Sequence, residues 1–292
     1  MNYSTTFLAN GVMTLYSREV NEVFHPVLGA EKEAELLYIR QTNLRHKFMH
    51  DQQITAWDVG LGAAGNALAV VAAWEDSKKG HLNLLSFDND LEPLKLAVSE
   101  HKKNPINFGY LSGPMSTKDI VWNEFIESGL YSFKSPWGNF NWVIKKGDFA
   151  KWVEWQTERN DPILSSPRLI MYDLYSPPQD CSLWQMKHWK RLRKILSKED
   201  PGEVIFHTRS TAVRVTLLLA GFFVGRGVAI GNKEETTIAS NRLELIKNPL
   251  DLEWLKRVKR SSSSQPFLDK KYYQKKIEKK YWEMLCLHPQ LL

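Results

Sequence analysis

The stretch Asp58-Val59-Gly60-Leu61-Gly62-Ala63-Ala64-Gly65-Asn66 decides how this sequence folds. It follows residues 54–59, a short run with the β-branched and aromatic content of a strand, and opens residues 63–75, an alanine-rich run that reads as a helix. Glycines 60, 62 and 65 spell G-x-G-x-x-G. In such a turn the missing side chains let a ligand approach the backbone at a helix N-terminus. Asp58 stands two residues before the first glycine, at the carboxyl end of the strand. A carboxylate there repels a pyrophosphate and suits an ammonium group.

Outward from this turn, apolar runs alternate with helix-like stretches, the pattern of a parallel sheet with crossover helices. Residues 82–87 read as a second strand and 91–103 as its helix, 142–145 as a third strand and 168–172 as a fourth. A helix over 181–196, a fifth strand over 203–207 and a helix over 211–220 follow; the runs 221–226 and 235–239 then make an antiparallel hairpin. The expected fold is α/β and Rossmann-like: a mostly parallel seven-stranded sheet, helices on both faces, an antiparallel C-terminal hairpin. Residues 112–141, with Gly113-Pro114, Ser135-Pro136 and several aromatics, read as an ordered insertion over the sheet edge. The expected division is a domain over 1–240 and a basic helical extension over 241–292, with Ser261-Ser262-Ser263-Ser264-Gln265-Pro266 as a flexible linker inside it.

The 292 residues are 43% hydrophobic and 25% charged, which excludes wholesale disorder, collagen and coiled coil. No apolar run reaches the roughly 18 to 20 residues of a membrane span, and the N-terminal residues lack the basic and long apolar regions of a secretory signal, so the expected compartment is the cytoplasm. Cys181 and Cys286 are far apart, with no Cys-x-x-Cys and no His pair at ligand spacing nearby. Neither a disulfide framework nor a metal site is expected. From Arg242 onward, twelve Lys/Arg face six Asp/Glu, so this segment carries a net charge of +6, the value of the whole chain. Such a segment suits a polyanion.

The sequence acid-x-Gly-x-Gly at Asp58, Gly60 and Gly62 resembles motif one of class I S-adenosylmethionine methyltransferases, whose ligand carries an amino group and a sulfonium in place of two phosphates. Asp88 ends the second strand, where an acid accepts both hydroxyls of a ribose. Asp148 follows the third strand, where these enzymes commonly place an acid near the adenine amino group. Asp173 ends the fourth strand in Tyr172-Asp173-Leu174-Tyr175-Ser176-Pro177-Pro178. A carboxylate there orients an amine and takes its proton. Cys181 lacks the Pro-Cys context of a nucleophilic pyrimidine methylase.

As an ordered set, these residues resemble the methyltransferase part of the MnmC family of tRNA 5-methylaminomethyl-2-thiouridine biosynthesis proteins. The similarity starts at Leu15-Tyr16-Ser17, Asn21-Glu22-Val23-Phe24-His25 and Gly29-Ala30-Glu31-Lys32-Glu33-Ala34 and continues through the glycine loop. It includes Asp173 with Trp184 eleven residues on, Arg214, Ala220-Gly221-Phe222 and Gly231-Asn232-Lys233-Glu234. The resemblance implies that Asp58, Gly60, Gly62, Asn66 and Asp88 hold S-adenosylmethionine, that Asp148 lies near the base, that Glu33 borders the pocket, and that Asp173 meets the target amine of a tRNA wobble uridine. Three departures stand out. Ala63 and Ala64 replace the Thr and third glycine of the family loop, Asp180-Cys181 replaces an Asn-Pro pair, and no FAD-dependent oxidase half is expected. Other readings stay open at this point: a class I methyltransferase for another amine, a nucleic-acid-binding module with a degenerate pocket, and an NAD-dependent oxidoreductase, which Asp58 opposes.

Overall fold

A computed structural model describes residues 2–25, 27–159, 166–196, 199, 201–231 and 233–292; Asn232 of the family-like Gly-Asn-Lys-Glu segment lies outside them. The chain divides into two units, residues 1–148 with 230–233, and residues 149–229 with 234–292.

The first unit begins with a small antiparallel sheet of β1 (Tyr3–Phe7), β2 (Met13–Ser17) and β3 (Glu22–Val23). Helix α1 (Ala30–Ala34) runs into a π-helical turn, Glu35–Arg40, and then α2 (Leu44–His50). The larger sheet starts with β4 (Gln53–Val59), which is buried at every residue after the first, as a central parallel strand requires. After it comes α3 (Gly65–Ser77), apolar on nearly all sides and buried accordingly. Strand β5 (His81–Asp88) pairs parallel with β4. Helix α4 (Glu92–Lys103) has Pro93 in its first turn and His101, Lys102 and Lys103 in its last, both matched to the helix dipole and its free termini.

Helix α5 (Trp122–Ser128) and β6 (Leu130–Ser135) form within the aromatic insertion, and β6 pairs antiparallel with β7 (Gly138–Lys146). Strand β7 in turn pairs parallel with β5. The insertion therefore contributes an edge strand of its own, and the third strand is longer than 142–145. Its rings build a cluster in which Phe125, Trp122 and Phe140 pack around Trp142.

The second unit contains α6 (Phe149–Glu158), β8 (Leu169–Tyr172), α7 (Met186–Ile195), β9 (Glu203–Phe206), α8 (Thr211–Leu219), β10 (Phe223–Gly227), β11 (Thr236–Ser240), α9 (Leu252–Arg260) and α10 (Lys279–Cys286). Strands β8 and β9 are parallel, whereas β11 runs antiparallel to both β9 and β10, the expected C-terminal hairpin. Tyr172, Trp184, Trp189 and Phe206 form its aromatic centre.

The serine-rich stretch at 261–266 is not a flexible linker. Ser264, Gln265 and Phe267 are buried, and the Ser264 and Gln265 amides both donate to the Lys275 carbonyl, each at 3.0 Å. Ser264 Oγ and Gln265 Oε1 accept from the Ile277 and Glu278 amides. Serine and glutamine are retained there as hydrogen-bonding groups for a returning chain, so the low complexity does not mean mobility.

Candidate active site

Asp58 is fully buried in β4, one residue before the strand ends. A buried carboxylate needs hydrogen bonds to offset its lost hydration. One comes from Ser86 of the adjacent β5, whose hydroxyl donates to Asp58 Oδ2 at 3.0 Å. The Ser86 hydroxyl itself accepts from Trp142 Nε1 of β7, also at 3.0 Å. Three neighbouring strands thus fix the orientation of one carboxylate through an indole and a hydroxyl. Sequence reasoning missed Ser86 and Trp142; the available signal was a serine inside the apolar run Leu84-Leu85-Ser86-Phe87.

The glycine loop is pinned across the carboxyl end of β5. The Gly60 and Leu61 amides donate to the Phe87 carbonyl at 2.9 and 3.3 Å. The Gly62 amide donates to Asp88 Oδ2 at 3.0 Å. Gly60 and Gly62 take φ of 97° and 51°, values that glycine adopts without steric cost. Ala64 takes φ 66° directly before α3, where the family glycine is missing, and a non-glycine residue there costs about 1–2 kcal/mol. The turn therefore keeps the backbone path of a glycine loop despite Ala64. Gly65 allows close packing at the start of α3, since a Cβ at this position would lie 2.5 Å from Ala30 Cβ of α1. Asn66 follows within the first turn of α3 and is buried.

Asp88 ends β5 half-buried. Its Oδ1 accepts the Asp90 amide at 3.1 Å while Oδ2 holds Gly62. Burial pushes its carboxyl above the usual carboxylate value, and these amide donors oppose the shift. Gly147 donates its amide to the Asp88 carbonyl at 2.8 Å, which brings the exposed Asp148 beside the same strand end.

Glu33, on α1, is buried. It accepts the Leu28 amide at 3.2 Å through Oε1, and its Oε2 lies 3.3 Å from His25 Nδ1. It thereby supports the turn that enters α1. A cavity of about 770 Å³ lies between α1 and α3 and borders Gly65, and one of about 360 Å³ lies against α1 and borders Ala63, but neither is lined by Asp58 or Asp88.

In the second unit, Asp173 follows β8 directly and is half-buried. Its setting is rigid. Tyr172 is buried and donates its hydroxyl to the Leu183 carbonyl at 2.7 Å, and Trp184 Nε1 donates to the Tyr175 carbonyl at 3.2 Å. The amides of Gln179 and Asp180 close the proline turn on the Ser176 carbonyl. Trp184 thus locks the Asp-x-aromatic-x-Pro turn eleven residues after Asp173. Arg214 is likewise structural: buried, it bonds Thr237 Oγ1, Glu235 Oε1 and the Thr236 carbonyl, clasping α8 to β11. Burial pushes Cys181 up to about 11, so it is a thiol at neutral pH, not a nucleophilic thiolate. Among the described residues, no helix is long and apolar enough to cross a membrane.

The donor set of the first unit fits S-adenosylmethionine. It has a buried acid at the end of β4, a second acid at the end of β5 and a glycine turn entering a helix between them, groups of the kind an ammonium and a ribose diol would require.

A family model described as S-adenosyl-L-methionine-dependent methyltransferase matches residues 160–242. The tRNA 5-methylaminomethyl-2-thiouridine biosynthesis bifunctional protein MnmC of Ralstonia nicotianae is 24% identical over 231 residues, 78% of this chain and 33% of its own length. Its namesake in Burkholderia thailandensis is 22% identical over 211 residues, 72% of this chain and 31% of its own length. The chain spans about a third of the length of these curated relatives. The crystal structure of MNMC2 from Aquifex aeolicus shares the fold at a TM-score of 0.67 and 19% identity, covering 97% of this chain and 82% of that one. With the class I arrangement of strands and glycine loop, the chain is an S-adenosylmethionine-dependent methyltransferase of Rossmann-like fold, similar to the MnmC proteins over most of its length.

Proposed function

We propose that the methyl acceptor is the primary amine of 5-aminomethyl-(2-thio)uridine at the wobble position of tRNA, which becomes the 5-methylaminomethyl form. The observation that carries this reading is Asp173, a carboxylate at a strand end inside a turn locked by Trp184, in a chain whose relatives are named for this tRNA modification. When bound, S-adenosylmethionine supplies an electrophilic methyl group on a sulfonium.

Asp58 would hold the amino group of the cofactor and Asp88 its ribose hydroxyls, with Asn66 and the loop amides beside them and Asp148 near the base. A primary alkyl amine is mostly protonated near neutral pH and has no lone pair to offer. Asp173 hydrogen-bonds the ammonium, takes its proton and leaves the nitrogen lone pair aimed at the methyl carbon. The bound cofactor would supply the methyl carbon, its S–C bond breaking as the N–C bond forms, and Asp173 would pass the proton on to solvent. A basic segment with a net charge of +6 supports a polyanionic substrate.

The test is transfer of a labelled methyl group to total tRNA from cells lacking this chain, followed by digestion and mass spectrometry of the nucleosides. The expected result is conversion of aminomethyl-uridine to its methylaminomethyl form. Cofactor binding without transfer to any tRNA nucleoside would discard the tRNA reading and leave a methyltransferase for another amine.

A further inference from the structure

Helix α7 carries Lys187, Lys190, Arg191, Arg193 and Lys194 and no acidic residue. At 3.6 residues per turn, Lys187, Lys190, Arg191 and Lys194 fall within an arc of about 100°. The opposite face, His188, Trp189 and Leu192, is buried. Lys187, Lys190 and Lys194 are all exposed, and the stripe they form is about 10 Å long, the span of roughly three phosphates along one strand.

Four exposed lysines elsewhere in this chain pair with a glutamate three residues away: Lys95 with Glu92, Lys103 with Glu100, Lys256 with Glu253 and Lys275 with Glu278. The α7 lysines have no such partner on their own helix, and among the described residues no carboxylate lies within ion-pair distance of any of the three. The neighbouring α6 packs against α7 and contributes Glu154, which is engaged by Arg191. The next residue, Trp155, is 44% exposed, with the Arg159 guanidinium 4.6 Å from its ring centroid. An exposed ring and guanidinium offer stacking to a base. An unneutralised lysine stripe beside a stacking group matches RNA better than it matches an acidic protein.

We infer that the exposed face of α7 binds the phosphate backbone of the tRNA substrate, separately from the basic segment 241–292; the inference rests on the proposed tRNA reading. Backbone contacts of this kind set position and affinity without reading sequence.

The test is equilibrium binding of an unmodified tRNA transcript by fluorescence anisotropy across a potassium chloride series, for the wild type, for K187E/K190E/K194E and for the corresponding triple Lys→Arg variant. Each phosphate contact contributes about −0.7 to −0.9 to the slope of log K against log salt, so the charge reversal should flatten the slope by about 2 and weaken Kd by more than about tenfold near 100 mM salt. The arginine variant should keep the wild-type slope, and S-adenosylmethionine affinity, measured by calorimetry, should be unchanged in both, which shows that the fold is intact. A reversal variant with wild-type slope and Kd would overturn the inference and leave α7 a solvated face. Wild-type binding with a lysine-dependent slope but no methyl transfer to tRNA would overturn the proposed function and leave this surface standing; a wild type that binds no tRNA overturns both.

Discussion

Removing the Ser86 hydroxyl tests how Asp58, the proposed partner of the cofactor's ammonium group, is held. Ser86→Ala deletes the donor to Asp58 Oδ2 and the acceptor of Trp142 Nε1, both at 3.0 Å and both among fully buried side chains. A hydrogen bond to a charged group is worth about 1.5–3 kcal/mol, and a buried indole N–H left without an acceptor costs about 1–3 kcal/mol. The two losses share one hydroxyl and water relaxes part of the second, so the expected destabilisation is about 2–4 kcal/mol. The same change removes one tether of the Asp58 side chain, so S-adenosylmethionine affinity should fall by about tenfold, near 1.4 kcal/mol. Urea denaturation gives the first number and titration calorimetry the second. Trp142→Phe keeps the Ser86 donor and should leave cofactor affinity nearly intact while costing stability. A Ser86→Ala variant within about 0.5 kcal/mol of wild type, binding the cofactor equally well, would refute the relay as the device that orients Asp58.

Three further perturbations have defined outcomes. Ala64→Gly relieves the left-handed strain before α3, so denaturant midpoints should show a stability equal to wild type or higher by up to about 1 kcal/mol, with no loss of cofactor affinity. Asp88 has a raised carboxyl pKa, so its contribution to stability is fully present below the ordinary carboxylate value and is lost as pH rises through its folded-state value. Asp88→Asn should therefore compare least favourably with wild type at the acid end of a denaturation series from about pH 3 to about pH 7, and should weaken cofactor binding throughout. Burial pushes the His288 imidazole below its ordinary value, and its Nδ1 accepts the Gln290 amide at 3.2 Å, a bond open only to the neutral ring. Stability from this group is present above the ordinary imidazole value and is lost as pH falls through the folded one. Denaturation between about pH 7.5 and about pH 5 should show that loss in wild type and a flatter profile in His288→Asn.

The parallel strands and the loop are legible because their physics is local. An apolar run ending in Asp-x-Gly-x-Gly and opening an alanine-rich helix states both the secondary structure and the ligand-facing end. The N-terminal meander is not legible: β1 reads Tyr-Ser-Thr-Thr-Phe, mostly half-buried and polar, so its pairing is set by partner strands and not by an apolar pattern. Glu33 emerged only through family resemblance, because its burial depends on the His25 ring and the Leu28 amide folding back onto α1. Strand β6 shows period-two alternation in its exposure, but prolines and aromatics nearby mask it as an insertion. The Ser264-Gln265 segment misleads in the opposite sense, since local composition carries no trace of the distant amides that those side chains satisfy.

The central claim is that Asp173 serves a tRNA amine for methylation. The most direct measurement is single-turnover methyl transfer from labelled S-adenosylmethionine to tRNA carrying 5-aminomethyl-uridine, comparing wild type with Asp173→Asn. The account predicts that the substitution slows transfer by about 100-fold or more, as expected for loss of a general base, while cofactor affinity stays within about twofold. Equal transfer rates for the two proteins, or no transfer to that nucleoside by the wild type, would contradict it.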